Sequence, residues 1–211
     1  MDIHETLAQA GFMTRNVGLI DRDGRPARTL TTSRAYPTTV EDLWEAVTNE
    51  KRIPRWFLPV TGQLELGGRY ALEGNASGSI VECEPPHRYL ITWEYGGDTS
   101  WVTVELTEQG DETRLDLTHT AHVPEELWDQ YGPGATGIGW DLGLLGLALY
   151  LSDDTTAPAK DMVGWEASPE GQVFVTSASD AWAEASIVAG TDADAAHASA
   201  KKVTAFYTGA E

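Results

Sequence analysis

The sequence predicts an α+β fold in which a curved antiparallel β-sheet wraps around a long C-terminal apolar helix, with extra helices after it. Three observations carry this. Between Trp56 and His122, short runs rich in β-branched and aromatic residues alternate with turn residues at hairpin spacing. No helix fits between consecutive runs, so the strands pair antiparallel and not as a βαβ array. The run Ile138 to Leu151, IGWDLGLLGLALYL, is apolar nearly all round, as a buried helix is.

Taken in order, residues 1–28 read as a lead-in with a turn at Asp21-Arg22-Asp23-Gly24-Arg25-Pro26. A Thr-rich strand runs from Arg28 to Tyr36, and Pro37 breaks it. Residues Thr39 to Val47 form a short helix. Thr38 or Thr39 caps it, with Asp42 three residues after Thr39 in a capping-box arrangement. Val40, Leu43, Trp44 and Val47 make one apolar face, and Asn49 with the Lys51 to Pro54 stretch ends the helix.

Strands are expected at 60–66, 69–74, 78–84, 88–95, 100–107 and 113–121, parted by Gly67-Gly68, Glu73-Gly74-Asn75, Pro85-Pro86-His87, Gly96-Gly97-Asp98 and Gln109-Gly110-Asp111. Val102, Val104 and Leu106 oppose Thr103 and Glu105. Leu115, Leu117 and His119 oppose Arg114, Asp116 and Thr118, and Ile91, Trp93 and Tyr95 alternate with Thr92 and Glu94. Such alternation gives one wet face and one buried face, and the apolar helix is the cover. Its Gly139, Gly143 and Gly146 each cost about 1 kcal/mol relative to Ala, offset by close backbone approach to the sheet or to a ligand. A polar link at 153–160 then leads to two Ala-rich helices, roughly 179–189 and 192–207, the second capped by Thr191. Trp182, Ile187, Val203, Phe206 and Tyr207 dock them. The organisation is therefore a lead-in at 1–28, a domain at 29–151 and a helical extension at 152–211.

Composition narrows the function. With 14 Lys and Arg against 33 Asp and Glu, the net charge is −19, which repels nucleic acid and anionic membrane surfaces. Cys83 is the one cysteine of the chain, so no intramolecular disulfide forms, as suits a reducing compartment. The N-terminus lacks the basic and apolar regions of a secretory signal. The run Ile138 to Leu151 is too short to span a bilayer and contains Asp141. A cytoplasmic protein with no membrane insertion is expected.

The order of strand, short helix, six antiparallel strands and long apolar helix resembles the START/Bet v 1-like superfamily, also called helix-grip or SRPBCC. Within it the chain is similar to the activator of heat-shock protein 90 ATPase-like group. The resemblance rests on Ala35-Tyr36-Pro37 leading into Val40-Glu41-Asp42-Leu43-Trp44, on Arg55-Trp56-Phe57-Leu58-Pro59, and on Gly67-Gly68-Arg69-Tyr70. It rests further on Ile80-Val81-Glu82-Cys83-Glu84-Pro85-Pro86, Leu90-Ile91-Thr92-Trp93-Glu94, Thr113 to Thr120, and Gly139-Trp140-Asp141. The resemblance implies a helix-grip domain over about 29–151. It also implies a cavity for a small hydrophobic or amphipathic molecule, with cyclases and lipid carriers on other branches of the superfamily.

The chemistry is sparse. No HxH, CxxC, HExxH, GxSxG or phosphate loop occurs, so no metal, cofactor or catalytic residue is assigned. Trp56, Phe57, Tyr70, Trp93 and Trp140 line or plug the cavity mouth, or simply pack the core. His119 faces the cavity as a ligand donor or sits satisfied in the core. Glu94 and Glu105 lie on the wet face, while Glu82 is read as facing inward with Ile80. The expected cavity lining is completed by Ile91, Val104, Leu117 and Leu144. The first functional reading is a non-catalytic binding module. The alternatives are a cyclase- or hydrolase-type enzyme on a polyketide-like substrate, with His119, Glu82 or Tyr70 as acid or base, and a chaperone or protein-interaction modulator. The extra helices cover the cavity mouth or form a homodimer contact.

Overall fold

The computed structural model describes residues 3–152 and 164–209. Helix α1 (Ile3–Gly11) leads into strands β1 (Thr14–Arg22) and β2 (Arg25–Tyr36), followed by helix α2 (Val40–Thr48) and a 3-10 turn at Ile53–Arg55. The meander comprises β3 (Val60–Gly62), β4 (Arg69–Leu72), β5 (Ser77–Glu84), β6 (Arg88–Tyr95), β7 (Asp98–Gln109) and β8 (Glu112–Ala121). Helices α3 (Glu125–Tyr131), α4 (Gly134–Leu151), α5 (Pro169–Val188) and α6 (Ala193–Thr208) complete the chain. The sheet order is β1-β2-β8-β7-β6-β5-β4-β3, and β3 to β8 each pair antiparallel with the next. The fold is α+β, of the helix-grip type.

The stretch read as a lead-in holds a helix and a strand. β1 has no apolar alternation to announce it; of its nine residues only Val17 is buried. Helix α3 also had no forecast, and α5 starts at Pro169, ten residues before the expected 179. There Ser168 accepts a hydrogen bond from the Gly171 amide at 3.0 Å and Pro169 opens the first turn, a strong start signal. Asp192, not Thr191, caps α6, while the Thr191 hydroxyl lies 2.7 Å from Ser186 Oγ. The polar link expected at 153–160 lies outside the described residues.

The described residues fall into two compact units. One takes residues 33–121 and 146–152. Here Thr39 caps α2 by accepting from the Asp42 amide, and Val40, Leu43, Trp44, Ala46 and Val47 are buried. The Asp42 carboxylate does not close the capping box; it accepts from Thr38 Oγ1 and Arg52 Nη1 instead. In β5, Ile80 pairs with Ile91 but Glu82 pairs with Leu90, so Val81 is the extra residue of a β-bulge. Gly78 has no room for a side chain, since a Cβ there would run into the Thr92 carbonyl. Gly146 meets the Trp56 carbonyl, which a Cβ would approach to 2.5 Å. The close approach is thus to the turn that follows α2, whereas the glycines of α4 were expected to approach the sheet or a ligand.

The other unit takes residues 3–32, 122–145 and 164–209, and it is organised around Asp141. The Asp141 side chain is 0% exposed and its carboxylate accepts three hydrogen bonds. Arg15 Nε donates to Oδ2 at 2.8 Å, Thr32 Oγ1 to Oδ1 at 2.8 Å, and Trp182 Nε1 to Oδ2 at 2.9 Å. Arg15, 5% exposed, also donates to the Met13 carbonyl at 3.3 Å. Trp182 lies against Gly137, where any side chain would strike the indole. Burial pushes the Asp141 carboxyl pKa up, opposed by the Arg15 charge. Helices α5 and α6 meet through Ala183, Ala196 and Ala200, with Ile187 partly buried beside them. Val203 is buried in α6, whereas Phe206 is 66% exposed and does not dock.

By length and composition α4 is apolar enough to cross a membrane. A wholly buried, ion-paired Asp141 at its centre is what a core helix carries, because a charge needs that partner away from water. Replacing Asp141 with Ala leaves the Arg15 guanidinium buried without its carboxylate. The variant should lose about 3–5 kcal/mol of stability by urea denaturation. A loss below about 1 kcal/mol would show that the pair contributes little to the fold.

Candidate functional site

Four strands each contribute one side chain to a single cross-strand row: Ile80, Ile91, Val102 and His119. Tyr89, Val104 and Leu117 form the next row, and on the other side Trp93 pairs with Ser100. Because side chains alternate along a strand, all of these project from one face. Ile80, Val102, Val104 and Leu117 are buried. Ile91 lies between buried neighbours in mid-sheet yet is only half-buried, as are Tyr89 and Trp93. An apolar mid-sheet side chain that keeps accessible surface borders open space rather than packed side chains.

His119 is the polar member of the row and is 8% exposed. Its Nε2 lies 2.7 Å from Ser100 Oγ, and Ser100 Oγ lies 3.2 Å from the Trp93 carbonyl oxygen. A carbonyl only accepts, so the arrangement that uses both contacts has Nε2–H donating to Oγ and Oγ–H donating to the carbonyl. That arrangement makes Nδ1 the acceptor nitrogen of a neutral ring. The Trp93 and His119 ring centroids are 6.3 Å apart. Burial pushes the His119 pKa down to about 4, so the imidazole is uncharged at neutral pH.

Tyr70 is buried and donates its hydroxyl to the Thr92 carbonyl at 2.8 Å, with burial pushing its phenol pKa up. Trp56 and Phe57 are half-buried, their ring centroids 5.4 Å apart, and Trp56 Nε1 donates to the Ala46 carbonyl at 2.9 Å. On α4, Trp140 is half-buried and Leu144 buried.

The reading of Glu82 as an inward residue does not hold. The bulge at Val81 breaks the two-residue alternation, so Glu82 comes opposite Leu90 and not onto the face of Ile80. Its carboxylate pairs with Arg88, whose Nε is also 3.6 Å from Glu105. Conversely, Ser100 and Tyr89 belong to the face but were not singled out from sequence, and Val102, read there on one side with Val104, was not counted in the lining. Parity with Val104 and with Ile91 is the signal that places them. Among the described residues no group of three or more His, Cys, Asp or Glu side chains comes together as a metal site would require.

The Activator of Hsp90 ATPase homolog 1-like protein family model matches residues 37–152. The crystal structure of CalU16 from Micromonospora echinospora is 32% identical, with a TM-score of 0.64 over 82% of this chain and 97% of that one. The solution structure of CalU16 gives 30% identity and a TM-score of 0.69 over 84% of this chain and 97% of that one. DynU16, a protein of the dynemicin biosynthetic locus, shares the fold at 23% identity, with a TM-score of 0.53 over 62% of this chain and 49% of that one. No curated protein matches the chain.

The buried histidine makes stability depend on pH in a defined window. The folded state holds His119 neutral down to about pH 4, whereas the unfolded chain protonates it near 6.5. Between those values the unfolded state binds more protons, so stability falls as pH drops from 6.5 toward 4, by at most about 3 kcal/mol. Above that window the group contributes no pH dependence. Urea denaturation of the wild type and of His119→Phe across this range isolates the effect, which the variant should lack. NMR titration of the His119 ring with a midpoint near 6.5 would contradict the assignment.

Proposed function

We propose that this chain, which belongs to the Activator of Hsp90 ATPase homolog 1-like family, is a non-catalytic binding module for an apolar or amphipathic small molecule. The observation that carries the reading is the half-buried Ile91 and Trp93 amid buried aliphatic neighbours, with the buried His119 and the half-buried Ser100 hydrogen-bonded beside them. Ligand sites are mostly apolar with a few placed polar groups, and this face has that composition. Apolar contact on Ile91 and Trp93 supplies affinity. The His119–Ser100 pair supplies a directional acceptor for a ligand hydroxyl.

The same pair is the observation that favours catalysis as the second reading. A serine hydroxyl 2.7 Å from an imidazole nitrogen is the geometry of a nucleophile and its base. Two features weigh against it. A histidine with a pKa near 4 is a weak base at neutral pH, far from the matched value that proton transfer favours. The Ser100 hydroxyl also has an internal acceptor in the Trp93 carbonyl.

Native mass spectrometry of protein purified gently from its own cells tests the reading. A reproducible added mass is expected on the wild type. It should be lost from Trp93→Ala, whose circular dichroism and melting temperature stay close to wild type. An adduct retained in full by Trp93→Ala would place the ligand elsewhere. Time-dependent conversion of a bound ester to its acid, abolished by Ser100→Ala, would establish the catalytic reading instead.

A further inference from the structure

Basic residues are scarce in this chain, yet Lys51, Arg52 and Arg55 fall together in the turn after α2, and the two arginines lie against one aromatic ring. The Arg52 and Arg55 guanidinium carbons lie 5.4 and 5.6 Å from the centroid of Tyr150. Arg52 is committed. Its Nε donates to the Tyr150 hydroxyl at 2.9 Å, and its Nη1 donates to Asp42 Oδ1 at 2.8 Å and to the Asp42 carbonyl at 3.1 Å. That bonding holds the Asp42 carboxyl below its ordinary range. Arg55 and Lys51 are exposed, and among the described residues neither has a carboxylate within 4.0 Å.

Among the described residues, the acidic neighbours leave Arg55 and Lys51 without a direct ion pair. Asp42 balances one cation. The C-terminal end of α4, which carries Tyr150, adds the equivalent of about half a negative charge. Glu45 accepts from the neutral Asn49 amide at 3.1 Å and keeps its charge, and Glu50 precedes Lys51, but neither forms an ion pair with Arg55 or Lys51. Two guanidiniums held against one ring repel each other, and an anion shared between them would offset that repulsion. The next residues, Trp56, Phe57 and Leu58, are half-buried and apolar. Cationic donors thus adjoin an apolar stretch within one turn of chain.

We propose that Arg55 and Lys51, braced by Arg52 and Tyr150, bind the carboxylate or phosphate head of a free anionic amphiphile whose apolar part rests against Trp56 and Phe57. The inference rests on the small-molecule reading and narrows it to anionic ligands. A planar guanidinium suits such a head because it offers paired donors in the geometry of a carboxylate or phosphate.

The experiment compares dodecanoate with neutral methyl dodecanoate, both as monomers, by tryptophan fluorescence on the full chain. Dodecanoate should bind about tenfold tighter or more, the factor expected of a charge-assisted hydrogen bond. Arg55→Gln and Lys51→Gln should erase that preference while leaving the ester's affinity and the melting temperature unchanged. Equal binding of the two probes by wild type would overturn the head-group site and leave the small-molecule reading standing. Equal weakening of both probes by Arg55→Gln would also overturn it. A preference that appears only in Asp153→Asn/Asp154→Asn would assign the cluster to the chain's own carboxylates and overturn it too. Binding to phosphatidylglycerol vesicles with none to monomeric dodecanoate would make it a membrane contact instead, against the proposal. If neither probe binds, the small-molecule reading fails. Inorganic phosphate then decides for the anion site: saturable shifts of the Arg55 Nε–H resonance support it, and their absence overturns it.

Discussion

The two-residue period of a β-strand, interrupted once, governs the functional face. Register across β5 to β8 brings Ile80, Ile91, Val102 and His119 into one row. Any one-residue slip would exchange this row for side chains of the opposite face. The bulge at Val81 is the single place where such a slip occurs within the pairing of β5 with β6. It leaves Ile80 on the apolar face while sending the Glu82 carboxylate to Arg88, which Glu105 also approaches, on the other. Without it, a carboxylate would come onto the apolar face, where losing hydration would cost more than burial gains. The bulge therefore keeps His119 the polar member of this row, with Ser100 beside it in the next.

Asp141 plays a comparable part in the other unit. A buried carboxylate contributes little to stability by itself, since desolvation offsets much of its attraction to Arg15. What it does is specify geometry. Its three bonds draw on Arg15 of β1, Thr32 of β2 and Trp182 of α5, and each would be left with a buried unsatisfied donor if its element shifted. The same residue type in the middle of an otherwise apolar helix is thereby a register mark.

Much of this was legible in the sequence because it rests on local periodicity. Strands β5 to β8 lie within a few residues of their expected positions, since the alternation of Val102, Val104 and Leu106 and of Leu115, Leu117 and His119 has only one physical reading. Thr39 caps α2 as its position before an apolar stripe suggests. What was hidden depends on partners distant in sequence. β1 buries only Val17, so no pattern marks it. The bulge at Val81 adds one residue without a glycine or proline to announce it. The partners of Asp141 lie 126, 109 and 41 positions away. Likewise Tyr150, 98 residues from Arg52, turns an ordinary basic turn into a cluster.

The central claim is that the row through Ile91 and its neighbour Trp93 contacts a small molecule. The most direct measurement is NMR mapping with selectively labelled Ile methyl groups and Trp indoles while an apolar ligand is titrated in. The account predicts saturable shifts at Ile80, Ile91 and Trp93, with little change at Ile20 or Trp182. Shifts confined to Ile20, or none at any labelled site while binding is seen by mass, would contradict it.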